Sequence, residues 1–135
     1  MQSSLKDLIK IGEESPFYQL LNIKIEEVRK NHARLSIKVG ERHIQMLNTV
    51  HGGVIASLAD SAAAWAILGN RKLRSIPVTV EMKINFLGPV KSGRLVAEAE
   101  TIHEGSKIIV SDEVKSSRGV LVAKSLVTYY LVDDK

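Results

Sequence analysis

The sequence predicts an α+β domain in which an antiparallel sheet of about five or six strands wraps around one long central helix. Three observations carry that expectation. Residues 51–68 are apolar on nearly every side of a helix, residues 23–39 alternate apolar and polar positions, and four further strand-like runs follow Pro77 with only short breaks between them. A helix that is apolar all round has to be buried. Consecutive strands joined by short turns imply an antiparallel meander rather than β-α-β units.

Each element has its own local signal. In residues 4–12, Leu5, Leu8, Ile9 and Ile11 share one side of a short helix, which Gly12 is expected to end. Ser15-Pro16 opens a second turn carrying Phe17, Leu20 and Leu21, with proline suited to a first helical position. From Ile23 the period changes to two. Ile23, Ile25 and Val28, then Ala33, Leu35, Ile37 and Val39, mark two half-buried strands, with Lys30-Asn31 as the turn. Residues 40–50 show no period.

Alanine and leucine dominate residues 51–68 and favour a helix, about 27 Å long at 1.5 Å per residue. The four runs after Pro77 are 78–87, 93–103, 107–116 and 120–132. In the first, Val78, Val80, Met82, Ile84 and Phe86 alternate with Thr79, Glu81, Lys83 and Asn85. Gly88-Pro89, Glu104-Gly105 and Arg118-Gly119 supply turn chemistry between the runs.

At 135 residues the chain is read as one domain over 1–135, with a short N-terminal helical segment at 4–21. That length leaves no room for a separate cofactor-binding half. A hydrophobic fraction of 44% with 25% charged residues is globular usage and argues against disorder. Aromatics at 4% leave little from which to build base-stacking platforms. The absence of cysteine removes disulfides, thiolate catalysis and every cysteine-ligated metal site, and fits a reducing compartment. No stretch approaches the roughly 18 to 20 apolar residues of a membrane span, and Lys6, Asp7 and Lys10 interrupt the start where a secretory signal would be apolar. A cytoplasmic location is the expectation, with no membrane partner. The net charge is +4, but the basic residues are scattered and form no nucleic-acid motif; a small anionic ligand explains them as well as DNA does.

The informative stretch runs from Gln45 to Asp60. Gly52 and Gly53 open a helix otherwise rich in good helix formers. Free N–H groups at that positive end suit an anion or a developing oxyanion, although glycines there also simply let the chain turn. Asp60 lies inside the apolar helix, where a carboxylate has to be solvated, paired or neutralised. Ser57, Asp60, Ser61 and Ala64 form one narrow polar stripe at helical spacing. His51 on its own reads as a cap or packing residue, and Gln45 and Asn48 as loop hydrogen bonders. His51 and Asp60 stand nine residues apart, about 13 Å along a helix axis, too far to act on one bond within one chain. Either they act separately, or two copies pair so that His51-Gly52 of one meets Asp60 of the other.

His51-Gly52-Gly53, six variable positions and Asp60, followed by Val-Thr-Val-Glu-Met-Lys-Ile-Asn-Phe-Leu-Gly-Pro-Val from residue 78, resemble the hotdog-fold acyl-CoA thioesterases. The likeness is to the PaaI-like and 4-hydroxybenzoyl-CoA thioesterase group, over about residues 15–132. The resemblance implies hydrolysis of an acyl- or arylacyl-CoA to the free acid and coenzyme A. By it the Gly52 N–H polarises the thioester carbonyl. Asp60 of the partner subunit acts as general base or nucleophile, His51 helps fix the site, and Gln45 and Thr79 match polar site positions. Phe86, Gly88, Pro89 and Lys91, with Gly105, Ser106 and Lys107, resemble segments that hold coenzyme A; Lys91 and Lys107 are the implied phosphate contacts. Coenzyme A enters as part of the substrate, so no cofactor and no metal is implied. A homodimer or a dimer of dimers is. Trp65, Ile55 and Ala63 are candidates for the acyl pocket. The other function class left open is a non-catalytic acyl-CoA-binding module built on the same pocket.

Overall fold

The computed structural model describes residues 4–70 and 75–133. Two short helices open the chain, α1 (Leu5–Glu14) and α2 (Pro16–Leu21). The Ser4 hydroxyl accepts the Asp7 N–H at 3.1 Å and caps α1. Gly12 does not end this helix. It lies inside α1 against the Trp65 indole, where a Cβ would come within 2.5 Å of Cζ2, so the glycine serves packing.

Strands β1 (Ile23–Arg29) and β2 (His32–Lys38) form the expected hairpin, with Asn31 in the left-handed region at φ 60°. The long helix α3 (Gly52–Leu68) follows, then β3 (Ser75–Phe86), β4 (Arg94–Glu104), β5 (Ile108–Ser116) and β6 (Leu121–Asp133). All six strands form one antiparallel sheet in the order β1-β2-β4-β5-β6-β3. The four later runs are thus not one meander. β4, β5 and β6 are, but β3 lies at the far edge against β6, and β4 pairs with β2. The length of α3 explains the jump. Seventeen residues span about 26 Å, close to the width of six strands at about 4.8 Å spacing, and the helix touches every strand.

Small side chains let that helix lie close. Ala59, Ala62, Ala63 and Ala66 are fully buried against Leu35, Ile37, Leu95, Ala97, Val110 and Val127. Among the described residues no helix is long and apolar enough to cross a membrane.

One irregularity sets the direction of the Thr79 side chain. The alternation expected along β3 breaks at Val80, where a bulge separates the pair Thr79–Tyr129 from the pair Glu81–Thr128. Beyond the bulge Met82 and Ile84 pack into the core, while before it Thr79 faces the helix. Strict alternation would have turned Thr79 away from the core together with Glu81 and Lys83.

Candidate active site

The site begins where α3 begins. His51 is the N-cap, and its Nδ1 accepts the Gly53 N–H at 2.7 Å. That acceptor role puts the ring proton on Nε2, leaving a donor facing outward. The Val54 and Ile55 N–H groups return to the His51 carbonyl. The Gly52 N–H has no acceptor among the described residues, so one helix-terminal amide stays available. The Phe86 ring lies across Gly52, 3.4 Å from where a Cβ would stand, and is itself half exposed.

Gln45 is committed to its own loop. Its Nε2 donates to Thr49 Oγ1 at 2.6 Å and its Oε1 accepts the Leu47 N–H at 2.8 Å. Asn48, at φ 63°, makes the turn between them. A second histidine steadies the segment before the helix: the buried His43 contacts the Leu21 carbonyl through Nε2, and its main-chain carbonyl accepts the His51 N–H at 2.9 Å.

Asp60 lies eight residues beyond Gly52, about 12 Å along the axis. Gly52 and Asp60 of one chain therefore do not share a reacting atom. Ser57, Asp60, Ser61 and Ala64 are all partly exposed while Leu58, Ala59, Ala62 and Ala63 between them are buried, so the polar stripe lies on the open face of α3. The carboxylate is paired rather than sealed. Thr79 Oγ1 donates to Asp60 Oδ1 at 2.8 Å, and Tyr129 Oη lies 2.6 Å from the same Oδ1 and 2.6 Å from the Asp60 main-chain oxygen.

The two segments implied to hold coenzyme A are at opposite ends of the sheet. Phe86 is level with Ala123 and Val114, whereas Ile108, just after Lys107, is level with Tyr129 and Thr79. Six residues of β5 separate those levels, about 20 Å. Gly88, Pro89 and Lys91 lie beside Phe86, with the Val90 carbonyl accepting the Val50 N–H at 2.8 Å. Gly105, Ser106 and Lys107 form the exposed β4–β5 turn, and Lys107 Nζ stands 5.9 Å from the Tyr130 ring centroid. Trp65, Ile55 and Ala63 are core residues within this chain, 6%, 4% and 0% exposed. Trp65 Nε1 donates to the Tyr18 hydroxyl at 3.0 Å. These three wall the domain interior of the chain.

Two residues near Asp60 went unread in the sequence. Tyr129 is 1% exposed, and burial followed by the charge of Asp60 raises its phenol above the ordinary value. Asp112, on the inward face of β5, is also 1% exposed; burial and then the charge of Asp60 push it up to about 8. Neither Asp112 oxygen nor the hydroxyl of its cross-strand partner Ser125 has a hydrogen-bond partner among the described residues. Both positions had a usable signal. Each stands in an inward alternating series, Ile108-Val110-Asp112-Val114 and Ala123-Ser125-Val127-Tyr129, where a polar group demands a partner. Among the described residues no group of three or more His, Asp or Glu is arranged to hold a metal ion.

The sequence profile of the thioesterase superfamily matches residues 47–123, the span from the Gln45 loop through α3 to β6. A Saccharolobus solfataricus protein provisionally named an esterase is 30% identical over 127 residues, covering 93% of this chain and 84% of its own. Human acyl-coenzyme A thioesterase 13 is 28% identical, with 97% and 96% covered. A crystal structure of a Haemophilus influenzae thioesterase superposes with a TM-score of 0.87 at 22% identity, covering 98% of this chain and 93% of that one. With its helix wrapped by an antiparallel sheet and its superfamily match over the glycine pair, Asp60 and Thr79, this chain belongs to the thioesterase superfamily and is a hotdog-fold thioester hydrolase.

Proposed function

We propose that this protein hydrolyses acyl-CoA to a carboxylic acid and free coenzyme A, at a site shared between two copies of the chain. The observation that carries the reading is Asp60: a partly exposed carboxylate inside an apolar helix, with one oxygen bonded by two hydroxyls and the other without a described donor. A carboxylate so arranged suits proton abstraction from water. The human relative's name extends the thioester class to acyl-CoA.

The shared site follows from distance. Asp60 of one chain lies about 12 Å from its own Gly52 amide, so the amide serving it comes from a second copy. β3 supports that pairing. It is a twelve-residue edge strand, and Ile76, Val78 and Val80 on it are half exposed, which is a template for another strand. Antiparallel pairing of β3 with its own copy about a two-fold brings the Phe86–Gly52 end of one chain to the Thr79–Asp60 end of the other. It brings the Lys91 and Lys107 segments together in the same way. A dimer, or a dimer of dimers, is the proposed assembly, and the cytoplasm the compartment.

In the reaction, Asp60 takes a proton from water as the water oxygen bonds to the carbonyl carbon. The oxygen of that carbonyl becomes anionic against the Gly52 N–H, an interaction whose loss typically costs about 10²–10³ in rate. The His51 Nε2–H faces outward from the same helix end as a second donor. The C–S bond then breaks, and the proton held by Asp60 passes to the departing thiolate. If Asp60 attacks directly instead, an anhydride forms and water opens it. The test is release of free thiol from aromatic, short, medium and long acyl-CoA by wild type and Asp60→Asn. Turnover by wild type and its near-complete loss in a folded variant is expected; equal turnover by the two would refute the reading. A single turnover in ¹⁸O-water identifies a nucleophilic Asp60 whose anhydride water opens at the Asp60 carbonyl, because the first product then carries an unlabelled oxygen from Asp60 and the label stays on the enzyme.

A further inference from the structure

We infer that Tyr129 is a positioning residue for Asp60, deciding which carboxylate oxygen faces the substrate. The inference rests on the role proposed for Asp60 above.

The geometry is specific. Tyr129 Oη reaches Oδ1 and the main-chain oxygen of the same residue, each at 2.6 Å. A phenol has one hydrogen, so its bond is divided between the carboxylate and the helix backbone that carries it. That contact locks the carboxylate against its own helix. Thr79 places a second hydrogen on Oδ1 from the neighbouring strand, 2.8 Å away. With two donors fixed on Oδ1, Oδ2 is the oxygen left for the proton of water.

The residue pairing is built for this. Thr79 and Tyr129 are cross-strand partners on the inward side of β3 and β6, joined just before the Val80 bulge. A phenylalanine at 129 would fill the same volume beside Ile108 and Val127, so packing alone does not call for the hydroxyl. Burial and the charge of Asp60 keep the phenol protonated, which makes it a donor and excludes it as a base. Tyr129 thus transfers no proton. The water O–H breaks to Oδ2, the water oxygen bonds to carbon, and the proton leaves Oδ2 for the thiolate as C–S breaks.

The test compares Tyr129→Phe with wild type and Asp60→Asn as full-length proteins, in the free-thiol assay across pH. Loss of a hydrogen bond to a charged group predicts a kcat lowered about 10- to 100-fold. KM is expected to stay within about twofold, because the hydroxyl does not touch the substrate. The acidic limb of the kcat/KM profile moves to higher pH, since the ionised form has lost a donor. A merely structural tyrosine would lower melting temperature and leave that limb in place. 3-Fluorotyrosine inserted at position 129 alone keeps the volume, strengthens the donor and should move the limb to lower pH. Limbs unmoved in both variants would overturn the inference, with Asp60→Asn inactive in the same assay. Full turnover by Asp60→Asn would instead sink the role of Asp60 itself.

Discussion

Thr79 and Tyr129 face each other across the β3–β6 ladder, and both hydroxyls end on a single oxygen, Oδ1 of Asp60. The three residues come from three elements and reach one point only because the ladder is bulged at Val80. The open stripe of α3 thereby becomes a held carboxylate with one free oxygen. Four outcomes follow from this arrangement and its surroundings.

Mixing inactive chains probes the shared site. Asp60→Asn supplies an intact glycine end, and His51→Ala, which lacks the second donor at the helix start, supplies an intact Asp60. In a random mixture of dimers, half are mixed and each mixed dimer holds one complete site. About a quarter of wild-type turnover should return. No recovery after unfolding and joint refolding would count against sites built from two copies.

Lys91 and Lys107 lie near opposite ends of one sheet, both exposed. If a two-fold brings them to the phosphates of one coenzyme A, alanine at either raises KM for acyl-CoA severalfold and leaves kcat unchanged. Each defect should shrink at high salt, where exposed charges are screened. Measuring KM at two ionic strengths decides it, and a fall in kcat alone would remove the phosphate role.

Asp112 makes stability depend on pH. In the unfolded chain its carboxyl ionises near 3.8; in the fold, burial and Asp60 hold its proton up to about 8. The folded state binds that proton more tightly, so stability contributed at low pH is lost as pH rises from about 4 to about 8. The slope is about 1.4 kcal/mol per pH unit across that window. Asp112→Asn stays neutral throughout. It should melt like wild type near pH 3 and well above it at pH 8; a constant gap between the two curves would disprove the coupling.

His51 caps α3 through Nδ1, so His51→Ala should cost about 1 kcal/mol of stability in addition to any effect on turnover. Urea unfolding would register this as a lower midpoint with unchanged slope. An unshifted midpoint would mean that the Gly53 N–H finds another acceptor.

Much of this was legible along the chain because it is local. Helical period exposed α3, its polar stripe and the anomaly of Asp60, while spacing alone separated His51 from Asp60 and left either separate roles or a second copy. The alternating runs marked all six strands, although β3 begins three residues before the expected Val78. What sequence periodicity misplaced was the order of strands. A helix as long as the sheet is wide delivers β3 to the far edge, and no local pattern in β3 or β4 records that.

The sequence by itself determined the helix, the strands and the residue types at its head, since propensity and period act over a few neighbours. Only the tertiary structure decided that Tyr129 meets Asp60 across 69 positions, that a bulge turns Thr79 inward, and that Asp112 is buried beside them. Those contacts depend on strand register and on a helix lying over a sheet, and register is a property of two chain segments at once, never of one.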